Sequence, residues 1–110
     1  MSFEIIATEP FERKLKKLSK KHKSLSKDLT NLFEKLTDNS DIGVPLGKDC
    51  FKIRLAIASK GKGKSGGARI ITYVKRVKSI IYLMDIYDKS EQSTITDKEL
   101  EFLIDLLSKD

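Results

Sequence analysis

Lys52 and Arg54 stand two apart in the run Phe51-Lys-Ile-Arg-Leu-Ala-Ile57. In an extended chain both point to one side while Phe51, Ile53, Leu55 and Ile57 point to the other. Arg69 opens the next apolar run, and Tyr87 and Lys89 close the one after it. Between them lies a loop, Ser59-Lys-Gly-Lys-Gly-Lys-Ser-Gly-Gly67, with Lys60, Lys62 and Lys64 at alternate positions. Such side chains suit a phosphate. Arginine's planar fork bonds two oxygens at once, lysine acts as a point charge, and glycine lets backbone come close. The alternative is an ordinary strand with a solvated cationic face and a loop too mobile and too charged to pack. The single histidine, His22, falls in a helical segment expected to lie far from these strands, so a two-histidine ribonuclease site is excluded. Cys50 has no His/Asp constellation near it and reads as an inert packed thiol; alone, it fits a reducing, cytoplasmic setting.

Gly61-Lys-Gly-Lys-Ser-Gly66 matches the dinucleotide spacing G-x-G-x-x-G, with Asp85 downstream. That fingerprint requires a helix immediately after the loop, whose N-terminus holds the pyrophosphate. Here Ala-Arg-Ile-Ile-Thr-Tyr-Val74 follows, β-branched and alternating. A Walker loop fails as well, because Gly67 stands where its lysine is required. The loop is not a nucleotide cradle.

The charge is unevenly spread. Residues 1–84 carry 19 Lys/Arg against 8 Asp/Glu, and residues 85–110 carry 3 against 8. Eight Lys/Arg and no acid lie between Arg13 and Lys27. A polyanionic partner, nucleic acid first among them, and a basic surface kept for solubility both fit this balance. The 110 residues suffice for one modest core, so residues 1–110 are expected to form a single domain. No apolar run reaches the length of a membrane span, and no secretion signal is visible.

Stepping along the chain, 2–8 reads as a short strand stopped at Glu9-Pro10. Phe11, Leu15 and Leu18 define one face of a helix, and Leu25, Leu29, Leu32, Phe33 and Leu36 that of a second, hinged near 22–24. The segment 43–47 reads as a linker. Strands are then expected over 51–58, 68–77 and 79–87. Arg69, Ile71 and Tyr73 would share a face of the second, and Ile81, Leu83, Asp85 and Tyr87 a face of the third. Thr96-Asp-Lys-Glu99 is a capping box, with Ile95 and Leu100 as its staple, before a helix striped by Leu100, Leu103, Ile104 and Leu107. The order is β-α-α-β-β-β-α: an α+β domain, mainly antiparallel, with an N-terminal helical hairpin and a C-terminal helix.

Taken together, Phe51-Lys-Ile-Arg54, Gly61-Lys-Gly-Lys-Ser-Gly-Gly-Ala-Arg-Ile-Ile71 and Ile86-Tyr-Asp-Lys-Ser-Glu91 resemble the HigB-like branch of the RelE/ParE toxin superfamily. The resemblance covers roughly residues 50–107 and implies a RelE-like fold. It further implies the toxin of a type II toxin–antitoxin system: a small endoribonuclease that cuts mRNA on the ribosome without a metal or cofactor. A cognate antitoxin, of helix-turn-helix type, would silence it. By this resemblance Lys52, Arg54, Arg69, Tyr87 and Lys89 are the catalytic candidates, with Arg69 as phosphate clamp. Lys60, Lys62, Lys64 and Tyr73 are the candidates for RNA binding. Phe51, Thr72 and Asp88 depart from the pattern, and an acid at 88 is expected to oppose a phosphate. The rivals are a non-catalytic, ParE-like inhibitor of DNA gyrase and a decayed toxin that still binds RNA or its antitoxin.

Overall fold

Apolar alternation and helical periodicity are both realised in the computed structural model, which describes residues 2–108. The elements are β1 (Glu4–Ala7), α1 (Glu9–Lys21), α2 (Leu25–Asp38), β2 (Val44–Gly47), β3 (Cys50–Leu55), β4 (Ala68–Lys75), β5 (Ile80–Asp88) and α3 (Asp97–Ser108). The strands form one sheet in the order β1-β5-β4-β3-β2. β2, β3, β4 and β5 pair antiparallel in sequence, and β1 adds to β5 in parallel.

The helical hairpin covers one face of the sheet. Phe11 and Leu18 of α1 and Leu25, Leu29, Leu32 and Leu36 of α2 pack on Phe51, Ile53, Leu55, Ile70, Val74, Ile81, Leu83 and Ile86. Burial of this apolar surface is the main stabilising term, at about 25 cal/mol per Å² removed from water. Glu9 and Glu12 begin α1 and Lys20 and Lys21 end it, each charge matched to the helix dipole. On the opposite face α3 lies over Cys50, Ile71, Met84 and Tyr87, placing Leu100, Leu103, Ile104 and Leu107 there. Its capping box forms as the sequence implies: Glu99 N–H donates to Thr96 Oγ1 at 3.1 Å, and Thr96 N–H returns to Glu99 Oε1 at 3.3 Å.

Two expectations are corrected. The segment expected as a linker is an edge strand: β2 joins β3 through a tight turn in which Lys48 and Asp49 both take positive φ. Its short length, Pro45 and the adjoining charges suit an edge position. The second correction concerns β5. Met84 is an extra residue opposite the step from Ile71 to Thr72, a β-bulge. Before it, Ile81 and Leu83 face the helical hairpin; after it, Tyr87 faces α3. Ile81, Leu83, Asp85 and Tyr87 therefore do not share a face.

Candidate functional site

The bulge at Met84 determines what the site can be. It turns Tyr87 to the same side as Arg69, its register partner on β4, and Arg69 is in turn paired with Arg54 on β3. Arg54, Arg69 and Tyr87 thus form a row across three adjacent strands, each step about 5 Å. Lys52 lies in the next row on the same face, opposite Ile71. Lys89 continues past the end of β5; its N–H donates to Gly67 O at 3.0 Å and its Nζ reaches Ser93 O at 3.2 Å. The sequence-derived candidates Lys52, Arg54, Arg69 and Tyr87 therefore converge, with Lys89 at the margin.

Two arginines directly opposite one another repel. Arg54 is exposed, Arg69 is only 3% exposed, and among the described residues neither has an acidic partner. Lys52, Lys62 and Lys64 likewise have no acidic partner there. The Arg69 guanidinium is steadied by carbonyls instead, donating through Nη1 to Lys64 O at 2.9 Å and to Ala68 O at 3.1 Å. Burial, and then the Arg54 charge, lower its pKa, while Tyr87 opposes the shift. A row of cations held this way, without a counter-charge among the described residues, attracts negative charge.

Tyr87 differs in kind from the cations beside it. Its ring packs with Met84, Ile71 and Leu100, and its hydroxyl is buried with no hydrogen-bond partner. Burial raises its pKa; Asp85 and Glu99 add to this and Arg69 counters it. The phenol therefore keeps its proton, on a hydroxyl that the packing beneath α3 covers.

The loop carries more local structure than its composition implies. Two 3-10 turns, Ala58–Lys60 and Lys64–Gly66, shape it. Ala58 N–H donates to Asp28 Oδ2 at 3.1 Å and Ser59 N–H to Ser24 Oγ at 2.8 Å, tying its root to the helical hairpin. At its far end Gly67 lies so close to β3 that a Cβ would stand 2.0 Å from Leu55 O. Lys62 and Lys64 are exposed, but Lys60 points inward to Asp88 at 2.8 Å and is not presented to solvent with them. Tyr73 lies on the cationic face but further along β4, stacked on Tyr82 at a centroid distance of 6.2 Å and packed in the cluster beneath α3.

Two more expectations change. His22 is not remote: its Nε2 lies 3.0 Å from Asp88 Oδ2, because α1 runs along β5 and ends beside its last residue. Asp88, expected to oppose a phosphate, faces the helical hairpin, opposite to Tyr87 in the strand alternation, and is 3% exposed. Burial alone would raise its pKa. Lys60, the N–H and hydroxyl of Ser90, and His22 outweigh that and hold the carboxyl far below the usual range. Cys50 is confirmed as a packed thiol; burial, with Asp49, pushes it up to about 11 against Lys48.

A sequence profile described as the RelE toxin of the RelE / RelB toxin–antitoxin system matches residues 4–109. The chain belongs to the RelE toxin family. Its fold is similar to that of a solved E. coli RelE toxin, an arginine-to-alanine double mutant in the free state, with a TM-score of 0.59. The two share 18% sequence identity, over 84% of this chain and 90% of that one. Membership of the RelE family makes this chain a toxin of a toxin–antitoxin system and implies an antitoxin partner. Among the described residues no helix is long and apolar enough to cross a membrane.

Proposed function

We propose that this RelE-family toxin is a ribosome-dependent mRNA endoribonuclease of the HigB-like branch, working without a metal. The observation that carries this is the row Arg54–Arg69–Tyr87, in which unpaired cations and a protonated phenol share one face. Cleavage of an RNA linkage requires the 2′-OH to lose its proton, the phosphorane's added charge to be held, and the 5′-oxygen to be protonated as it leaves. Arg69 and Arg54 hold the phosphorane oxygens. Tyr87, once binding draws α3 back from its hydroxyl, gives its proton to the leaving 5′-oxygen, and the 2′-OH passes its proton to Lys52 or Lys89. Lys62, Lys64 and the unpaired lysines of α1 grip ribosomal RNA through its phosphates.

Expression in a bacterium tests the reading. Transcripts cut within translated frames, and left whole when the Arg69→Ala variant is expressed, are the expected result. DNA damage with intact transcripts overturns it in favour of gyrase inhibition. Growth without any phenotype overturns it in favour of a toxin that has lost its activity. The antitoxin is expected from a short adjoining reading frame encoding a helix-turn-helix protein, and co-expression with it should restore growth.

A further inference from the structure

Asp88 sits in the sequence between two candidate site residues, Tyr87 and Lys89, yet touches neither the row nor solvent. Its carboxylate gathers three separate segments. Oδ1 accepts from Lys60 Nζ at 2.8 Å, Ser90 N–H at 2.9 Å and Ser90 Oγ at 2.8 Å; Oδ2 lies 3.0 Å from His22 Nε2. Lys60 is where the glycine–lysine loop leaves its tethered root, since Gly61 and Gly63 follow with positive φ. Further along the same loop, Lys64 offers the carbonyl that steadies Arg69. Among the described residues, Lys60 to Asp88 is the only side-chain hydrogen bond between this loop and β5 or the turn after it.

We propose that Asp88 is a positioning residue. Its carboxylate latches the glycine–lysine loop and the end of α1 to the end of β5, and so sets the loop in register with Arg69 and Tyr87 for RNA cleavage. The role in cleavage rests on the function proposed above; the latch itself does not. A surface salt bridge could not do this, because exposed pairs contribute little and exchange readily. Here both partners are withdrawn from water, with side-chain exposures of 13% for Lys60 and 4% for Asp88. Removing Asp88 leaves the Lys60 ammonium buried without its carboxylate, and removing Lys60 takes from Asp88 the one contact that reaches the loop, so either change frees the loop from this anchor.

The test compares the full chain with Asp88→Asn, Lys60→Met, the double variant and Asp88→Glu. Two readouts are taken well below the melting temperature. One is single-turnover cutting of mRNA on saturating programmed ribosomes; the other is the NMR order parameters of the amides from Gly61 to Gly67. The latch predicts that Asp88→Asn slows cutting about tenfold or more with ribosome affinity unchanged within about twofold. It predicts lower order from Gly61 to Gly67, no further loss of that loop order when Asp88→Asn is added to Lys60→Met, and partial rescue by Asp88→Glu. Unchanged loop order in Asp88→Asn, wild-type cutting in that variant, or additive losses of loop order in the double variant would each overturn it. If the wild-type chain cuts no RNA, the cleavage reading and the positioning role fall together. Loss of loop order in Asp88→Asn would then still establish the latch as a feature of the fold.

Discussion

Arg69 and Tyr87 are adjacent, but replacing them should affect stability differently. Arg69→Ala removes two hydrogen bonds to carbonyls and should destabilise by about 1–3 kcal/mol. Cutting should fall by about 10²–10³-fold, as when a positioned charge-stabilising donor is lost. Tyr87→Phe removes a buried hydroxyl that has no partner, so it should leave stability unchanged or raise it by about 1 kcal/mol in a urea melt. Cutting should still drop if that hydroxyl delivers the proton. Asp88 adds a pH prediction. Its folded-state pKa is depressed, so its stabilising contribution is fully present above the unfolded carboxylate value, about 4. That contribution is lost as pH falls below about 4 toward the folded value. Urea melts from pH 7 down to about pH 3 should show the loss, and Asp88→Asn should show a shallower decline.

At the scale of elements, the glycine loop and the bulge on β5 control the geometry. Gly67→Ala drives a methyl into the Leu55 carbonyl, so β3 and β4 must separate locally. A loss of about 2–4 kcal/mol is expected from a thermal melt, at the upper end of common point-mutant effects. The helices were legible in the sequence because Phe11, Leu18, Leu25, Leu29, Leu32 and Leu36 recur with helical spacing, and all are buried. The capped start of α3 was legible for a local reason, since Thr96 and Glu99 bond to each other's backbone and side chain within three residues. β5 was not. Ile-Ile-Tyr-Leu-Met-Asp-Ile-Tyr87 is apolar on both sides, α1 covering one face and α3 the other, so no alternation marks where the bulge falls. The same absence hid β2, whose exposed Val44 and Pro45 lack a strand's alternation. Lys52 could be placed with Arg54, and Arg69 with Ile71 and Tyr73, because β3 and β4 each alternate without interruption; that the two faces coincide follows only from the register that pairs Arg54 with Arg69. The inward turn of Lys60 and the nearness of His22 to Asp88 depend on contacts between residues 28 and 66 positions apart, which no local pattern encodes.

The whole molecule divides its charge by region: the hairpin and loop are basic, and half of the acid is concentrated in the short stretch beyond residue 84. If about five phosphates are neutralised, binding to RNA should weaken about a hundredfold as salt rises from about 50 to about 200 mM. Replacing Lys62 and Lys64 by Gln should lower the slope of log affinity against log salt by about 1.4. An acidic antitoxin segment would compete for the same surface, and its affinity should share that salt dependence. Arg54 and Arg69 are the centre of this field, with no acid of the described chain to answer them. Single-turnover cutting on translating ribosomes by the wild-type chain and by Arg69→Ala, each shown to be folded by its melt, tests that directly. Rapid cutting by the first and a loss of about a hundredfold or more in the second is the predicted result; equal rates would contradict it.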